Sequence, residues 1–246
     1  LVELPAQHVD TGMGFERLAR AVVGASSNYD TEVFKPYLRR LEALSGLSYG
    51  SNERTDIAMR VASDHIRAVA FAIADGQMPA SNGAGYVIRR ILRRAIRYGY
   101  STLGFREPFM AELVDVMVLT MGSAYPELPA RADFIRQVIR EEELAFLRTL
   151  ESGLKRLDIA LADSDVLSGE RAFELYDTFG FPLDLTSLIC REQGKSVDEK
   201  GFALAMEAQK TRSRQASAQK VGDWTVCSEG PADRFVGYDQ LEATGQ

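Results

Sequence analysis

Cysteine and histidine are scarce in this sequence of 246 residues, which contains only Cys190 and Cys227, together with His8 and His65. Two distant thiols form no disulfide framework, and these side chains lack the close spacing of a zinc site. No run of about 18 apolar residues occurs, and the first residues lack the basic start and apolar core of a signal peptide. The sequence therefore predicts a cytoplasmic protein with no metal site and no membrane contact.

Acidic residues are absent from one window, between Asp75 and Glu107, although the chain as a whole carries a net charge of -6. An acidic protein is not attracted to nucleic acid as a whole, so such a partner has to bind a local basic surface. The window contains Arg89, Arg90, Arg93, Arg94, Arg97 and Arg106. It is therefore the candidate segment for binding a polyanion.

Apolar residues recur three and four positions apart along most of the chain, which predicts a mainly α fold. The predicted helices cover residues 16–23, 28–46, 56–76, 85–99, 107–121, 130–162, 168–177, 180–194 and 198–217. Aromatic and β-branched residues near glycine return after Gly222, where they favour a strand.

The stretch VDTGMGFERLA, residues 9–19, places two glycines at the entrance of the first predicted helix. It is not a Walker loop, because Phe15 and Glu16 follow Gly14 where a lysine and a hydroxyl residue are required. It is not a dinucleotide fingerprint either, because Arg17 replaces the third glycine. What remains is a junction at which a ligand can approach the backbone, with an arginine suited to phosphate or a planar base.

VDTGMGFERLA closely resembles the third signature motif of class II aminoacyl-tRNA synthetases, in the form found in the alanyl-tRNA synthetase family. Five further stretches resemble that family in the same order: SNYDTEVF, ASDHIRAVAFAIADG, GYVIRRILRRAIRYG, LYDTFGFPLDLT and FVGYDQLEAT. The resemblance covers nearly the whole chain and is far more specific than a glycine pattern alone.

The resemblance implies a role for each polar residue of the opening stretch. Asp10 would hold the amino group of alanine, Gly12 and Gly14 would line the ATP site, and Arg17 would pack on the adenine and reach the triphosphate. The full enzyme would activate alanine with ATP and Mg²⁺ and transfer it to tRNA(Ala). The family's first and second motifs would precede this chain and a zinc-binding editing domain would follow it, so the chain alone is expected to be inactive.

The arginines of the basic window lie on one predicted helix, where Arg89, Arg93 and Arg97 form a stripe beside Arg90 and Arg94. Guanidinium groups pair well with phosphate oxygens, so this stripe is expected to project together and contact the RNA backbone. Two alternatives remain: a merely solvated face, or arginines paired within the protein, for example with the acidic run at residues 140–146.

The family identifies its tRNA mainly by a G·U wobble pair in the acceptor stem, which an asparagine and an aspartate approach. By the resemblance, Asp177 is the aspartate, and a carboxylate suits the exocyclic amine that a wobble guanine leaves unpaired in the minor groove. The asparagine departs from the family pattern, because Asn82 lies one place later than in that pattern and Ser81 occupies the matching position. We favour Asn82, with Ser81 as the alternative.

The resulting domain prediction has three parts. Residues 1–24 would form the last strand and helix of a class II antiparallel catalytic sheet, residues 25–222 a helical tRNA-recognition domain, and residues 223–246 the start of a β-barrel domain. Two other functions remain open: a non-catalytic helical RNA-binding module, and a purely structural helical domain whose arginines pair only with its own acidic residues.

Overall fold

The computed structural model describes residues 11–162 and 164–217, so Asp10 and the predicted β-barrel start at residues 223–246 lie outside the described residues. The described part is mainly helical, as the sequence predicts. Its helices are α1 Phe15–Val23, α2 Lys35–Ser45, α3 Glu53–Ala74, α4 Gly83–Tyr98, α5 Leu113–Met121, α6 Glu127–Ala130, α7 Ala132–Ala162, α8 Gly169–Phe179, α9 Leu183–Glu192 and α10 Glu199–Ser217.

The sequence did not predict the short elements between the helices. A π-helical turn, Gly99–Leu103, continues the end of α4, and a 3₁₀ turn, Met110–Glu112, precedes α5. Two strands of two residues each, β1 Val166–Leu167 and β2 Ser196–Val197, pair in parallel between the ends of α7 and α9. Segments this short have no hydrophobic period by which a sequence pattern could identify them.

Helix α3 is the centre of the hydrophobic core. It begins where the side chain of Asn52 accepts a hydrogen bond from the backbone N–H of Arg54 at 2.8 Å, which satisfies one of the unpaired donors of the first turn. It then buries Met59, Ile66 and Ile73 completely. Helices α2, α4, α5, α6 and α7 all pack against it. The position of α4, which carries the arginines, is therefore set by its long contact with α3.

Helix α7 places a buried carboxylate in this core. Glu143 is fully buried, and its carboxylate accepts hydrogen bonds from the backbone N–H groups of Phe109 at 2.9 Å and Met110 at 3.1 Å. These N–H groups open the 3₁₀ turn that leads into α5, where no helical partner exists for them. Burial raises the pKa of Glu143 to about 7, because the loss of water outweighs the three backbone donors around the carboxylate.

The raised pKa of Glu143 predicts that stability falls as the pH rises. The folded carboxyl holds its proton up to about pH 7, whereas the unfolded one releases it near 4.5. Protonation therefore favours the folded state, and the free energy of unfolding should decrease between these two pH values. We expect Glu143→Gln to remove this decrease, which amounts to at most about 3 kcal/mol since one pKa unit corresponds to about 1.4 kcal/mol.

Urea unfolding of the parent chain and the variant at pH 5 and pH 8 measures this difference. Glu141→Gln is the matched control, because Glu141 is exposed two residues earlier on the same helix. It should leave the pH dependence of the parent unchanged. An equal pH dependence in the parent and in Glu143→Gln would mean that the buried carboxyl does not titrate in this range.

Candidate nucleic-acid interface

The structure brings Asp177 to the same cleft as the loop before α4. Asp177 is exposed near the end of α8 and lines a cleft of about 240 Å³, which we call the Asp177 cleft. The other lining residues are Ser81, Tyr86, Arg89, Arg93, Tyr176, Gly180 and Pro182. Among the described residues, the Asp177 carboxylate forms no ion pair with a basic side chain, so it is free to accept a hydrogen bond from a ligand.

Asn82 borders an adjoining cleft of about 480 Å³, which we call the Asn82 cleft. The two clefts share Ser81, Tyr86 and Tyr176, and Arg90 lies on the wall of the larger one. Asp177 and the two alternatives for the second contact, Ser81 and Asn82, are therefore exposed on one surface. Ser81 borders both clefts, whereas Asn82 borders only the larger one.

The loop that carries Ser81 and Asn82 is held by a close backbone approach. Asn82 precedes α4 with extended backbone angles, and its side chain makes no capping hydrogen bond. The N–H of Ala80 donates to the carbonyl oxygen of Gly85 at 3.0 Å, which folds the loop back onto the first turn of the helix. A Cβ atom at Gly85 would lie 2.3 Å from the carbonyl oxygen of Met78, so only glycine fits there.

Helix α8 ends at Phe179, two residues after Asp177, and Gly180 caps it. The backbone of Gly180 adopts the left-handed conformation with φ of 68°, and the N–H of Phe181 donates to the carbonyl oxygen of Leu175 at 2.9 Å. This is a Schellman-type helix end. It turns the chain into α9 and leaves Asp177 on the rim of the cleft.

Arg93 connects α4 to both α7 and this helix end. Its side chain is buried, its Nε and Nη2 atoms donate to Glu142 at 2.7 and 2.5 Å, and its Nη1 atom donates to the carbonyl oxygen of Gly180 at 2.5 Å. Its guanidinium plane also covers the ring of Phe146 at 4.9 Å. Burial lowers the pKa of Arg93, and the neighbouring Glu142 carboxylate opposes that effect.

The neighbouring arginines of α4 are also paired within the protein. Arg89 binds both oxygens of Glu142, at 2.9 and 3.1 Å, and Arg97 binds both oxygens of Glu192, at 3.0 and 2.5 Å. Such two-point pairs are the strong form of the arginine–carboxylate interaction. The hydroxyl of Tyr98 adds a third donor to Glu192 at 3.0 Å.

The arginines of α4 therefore do not project together into solvent as the sequence predicted. Arg93 and Arg97 are only 9% and 5% exposed, because α3 and α7 pack against α4 and Glu192 at the end of α9 binds Arg97. Arg89 and Arg93 follow the alternative of pairing with the acidic run at residues 140–146. Arg90 and Arg94 remain partly exposed, and Arg90 lies 3.4 Å from Asp184.

The residues predicted to bind ATP lie at the start of α1. Gly14 caps this helix with extended backbone angles, Gly12 and Arg17 are exposed, and a Cβ atom at Gly12 would meet open space. This exposure fits a contact with a nucleotide. Within the part of the chain that the structure describes, no group of three or more His, Cys, Asp or Glu side chains is arranged to hold a metal ion.

The acidic partners of the arginines were the main features that sequence reasoning missed. Glu142 lies inside a run of three glutamates, which pointed to the correct region without identifying the residue. Nothing in the sequence pairs Glu192 with Arg97, because the two belong to helices far apart in the chain.

Among the helices that the structure describes, none combines the length and the apolar composition that a membrane-spanning helix needs.

We expect Glu142→Ala to destabilise the protein by about 3 to 5 kcal/mol, since it leaves the buried guanidinium of Arg93 without its carboxylate. Urea unfolding at pH 7 measures the change. Glu174→Ala is the matched control, because Glu174 forms an exposed pair with Arg156 at 2.7 Å. Exposed pairs contribute about 0 to 1 kcal/mol. Similar losses in the two variants would contradict a special role for Glu142.

Comparison with known proteins gives one consistent result. Residues 1–246 match the family described as tRNA synthetases class II (A). Alanine–tRNA ligase of Christiangramia forsetii is 55% identical over 245 residues, which are 99% of this chain and 28% of that protein. The ligases of Porphyromonas gingivalis and Cytophaga hutchinsonii are 56% and 52% identical, over 98% and 100% of this chain. The chain spans 28% and 29% of those two relatives.

Proposed function

The chain belongs to the class II (A) tRNA synthetase family, and from this premise we propose that it is a segment of an alanine–tRNA ligase. The complete enzyme activates alanine with ATP and Mg²⁺ and joins it to tRNA(Ala). This segment recognises the tRNA acceptor stem. Its identity to alanine–tRNA ligases over nearly its whole length supports the proposal, and its short share of those proteins supports its being a segment.

The observation that carries acceptor-stem recognition is the exposed Asp177 carboxylate in a cleft that also contains Ser81. A wobble guanine presents an unpaired exocyclic amine in the shallow minor groove of A-form RNA. Asp177 accepts a hydrogen bond from that amine. Ser81 or Asn82 makes the second contact with the base pair, because both lie exposed on the same surface as Asp177.

Phosphate contacts fall to the arginines of α4 that keep solvent access, Arg90 and Arg94. Arg90 lines the Asn82 cleft, and Arg94 is partly exposed on the same helix. Arg93 and Arg97 serve the interface indirectly, by holding α4 against its neighbours. Arg89 lines the Asp177 cleft while it binds Glu142. Its guanidinium group is therefore held at the cleft in one orientation.

The opening stretch contributes to the adenylate site of the complete enzyme. Arg17 packs on the adenine, Gly12 and Gly14 let the nucleotide approach the backbone, and Asp10 holds the amino group of alanine. Residues 1–24 complete a class II antiparallel sheet, residues 25–222 form the recognition domain, and residues 223–246 begin a β-barrel domain. Zinc belongs to a separate editing domain, and the enzyme acts in the cytoplasm.

One alternative has a specific observation in its favour. Arg89, Arg93 and Arg97 are all paired with carboxylates of the same chain, as a purely structural helical domain requires. Such a domain would not bind RNA even at low salt, whereas a non-catalytic RNA-binding module would bind the stem without a need for ATP.

We expect this chain to bind a short acceptor-stem hairpin with a G·U pair at least about tenfold more tightly than one with G·C, since a good specific contact discriminates by about 1 to 3 kcal/mol. Asp177→Ala should abolish the difference, as measured by fluorescence anisotropy. Ser81→Ala and Asn82→Ala, tested separately, assign the second contact to whichever variant also reduces the preference.

Asp158→Ala is the control for this experiment, because Asp158 is exposed on α7 and borders neither cleft. It should retain the full preference for G·U. Equal binding of both hairpins by the parent chain would show that recognition needs the rest of the enzyme. No binding at low salt would favour the structural domain.

Substitution of the accessible arginines should weaken RNA binding without changing the preference. Arg90→Gln and Arg94→Gln each remove one phosphate contact, so each should lower the affinity for both hairpins and reduce the slope of log K against log salt by about one. Titrations at four salt concentrations measure the slope. Lys155→Gln is the control, because it removes one positive charge from an exposed position on α7 and should leave the slope unaltered. An identical slope in the parent and in all three variants would exclude these phosphate contacts.

A further inference from the structure

Helix α1 is connected to the rest of the helical body through an ion pair in its first turn. None of its side chains is buried. Arg67, in the middle of α3, donates a hydrogen bond to the Glu16 carboxylate, and the two side chains are only 13% and 28% exposed. The hydrogen bond from Arg67 lowers the pKa of Glu16, which keeps the carboxylate charged at neutral pH.

Arg67 is itself held in a defined orientation. Its guanidinium group lies over the ring of Phe34 at 4.8 Å, and Phe34 is buried at the start of α2. Within the described residues, Glu16 is the carboxylate that pairs with Arg67. The Nε atom of Arg67 is buried and has no acceptor among those residues. A guanidinium fixed by an aromatic face presents its donors in one direction, because its fork is planar and rigid.

This pair fixes which side of α1 faces α3. Successive residues of an α-helix are about 100° apart, so anchoring Glu16 also sets the direction of the adjacent Arg17. Arg17 is exposed. A long, exposed arginine otherwise loses considerable side-chain and helix-orientation freedom when it binds a ligand.

The same pair connects α1 to α3, the helix that packs along α4. Arg67 belongs to α3, which packs along α4, and α4 begins at the loop with Ser81 and Asn82. Successive packing contacts therefore lead from the loop with Ser81 and Asn82 through α4 and α3 to Arg67, and from there to α1.

We propose that Arg67 is a positioning residue for the ATP site: through Glu16 it orients α1 so that Arg17 points at the nucleotide. The inference rests on the proposed function, because it takes Arg17 as the ATP contact. Arg67 does not touch the nucleotide. It acts by lowering the cost of ordering Arg17, so its loss affects ATP and leaves the alanine contact of Asp10 in place.

The test uses the full-length enzyme that contains this chain, with the single variants Arg67→Met and Glu16→Gln and the double variant. Alanine-dependent ATP–pyrophosphate exchange gives KM for ATP and for alanine separately. We expect KM for ATP to rise about tenfold in each single variant, as for the loss of one charge-assisted hydrogen bond. KM for alanine should stay within about twofold of the parent value, and the double variant should resemble either single variant, because one interaction is removed only once.

Arg40→Met is the matched control, because Arg40 forms an interelement ion pair with Glu112 at 2.7 Å that does not involve α1. It should leave both KM values unchanged. An unchanged KM for ATP in Glu16→Gln overturns the inference, and so does an equal rise of both KM values, which indicates a merely structural role. Glu16→Gln alters a partly exposed side chain and folds even if Arg67→Met does not. If the parent enzyme shows no alanine-dependent exchange, the proposed function itself is wrong.

Discussion

The pairing of buried Arg93 with Glu142 is the interaction on which the geometry of the candidate interface depends. A charged side chain is stable away from water only when it has partners in good geometry, and Arg93 finds them on two other elements, α7 and the end of α8. Three segments distant in the chain are thereby held in one arrangement. Arg93 itself lines the cleft that Ser81 and Asp177 share. The charge that looked like a ligand contact in the sequence is a structural support for the ligand surface.

Helix α7 supplies the carboxylates for two such supports from adjacent positions. Glu142 points to α4, and Glu143 points to the start of α5. Neighbouring residues on a helix project about 100° apart, so one long helix can pair with two different neighbours within a single turn. The two carboxylates are stabilised differently, because Glu142 binds guanidinium groups directly, whereas Glu143 accepts hydrogen bonds from backbone N–H groups.

The sequence predicts the helical architecture well and the interface only in part. Regular apolar spacing locates α3, α4 and α7 because their burial follows the helical period. The same spacing marks Arg89, Arg93 and Arg97 as one stripe, but it cannot tell what lies opposite that stripe, and Glu142 and Glu192 come from other helices. Ser81 and Asp177 line one cleft for the same reason: the tertiary fold brings together segments that are distant in the chain. Family resemblance selected both residues, whereas their shared cleft requires the structure.

The contact between Arg93 and Gly180 also restricts how this surface can diverge over evolutionary time. A Cβ atom at residue 180 would lie 2.2 Å from the Nη1 atom of Arg93, and the left-handed backbone disfavours any side chain there. Loss of Arg93 would relieve the collision but would leave both the backbone restriction and the Glu142 charge. Single substitutions at these three positions therefore lead only to less stable proteins. Residues around the cleft can be substituted one at a time, whereas Arg93, Glu142 and Gly180 can change only together.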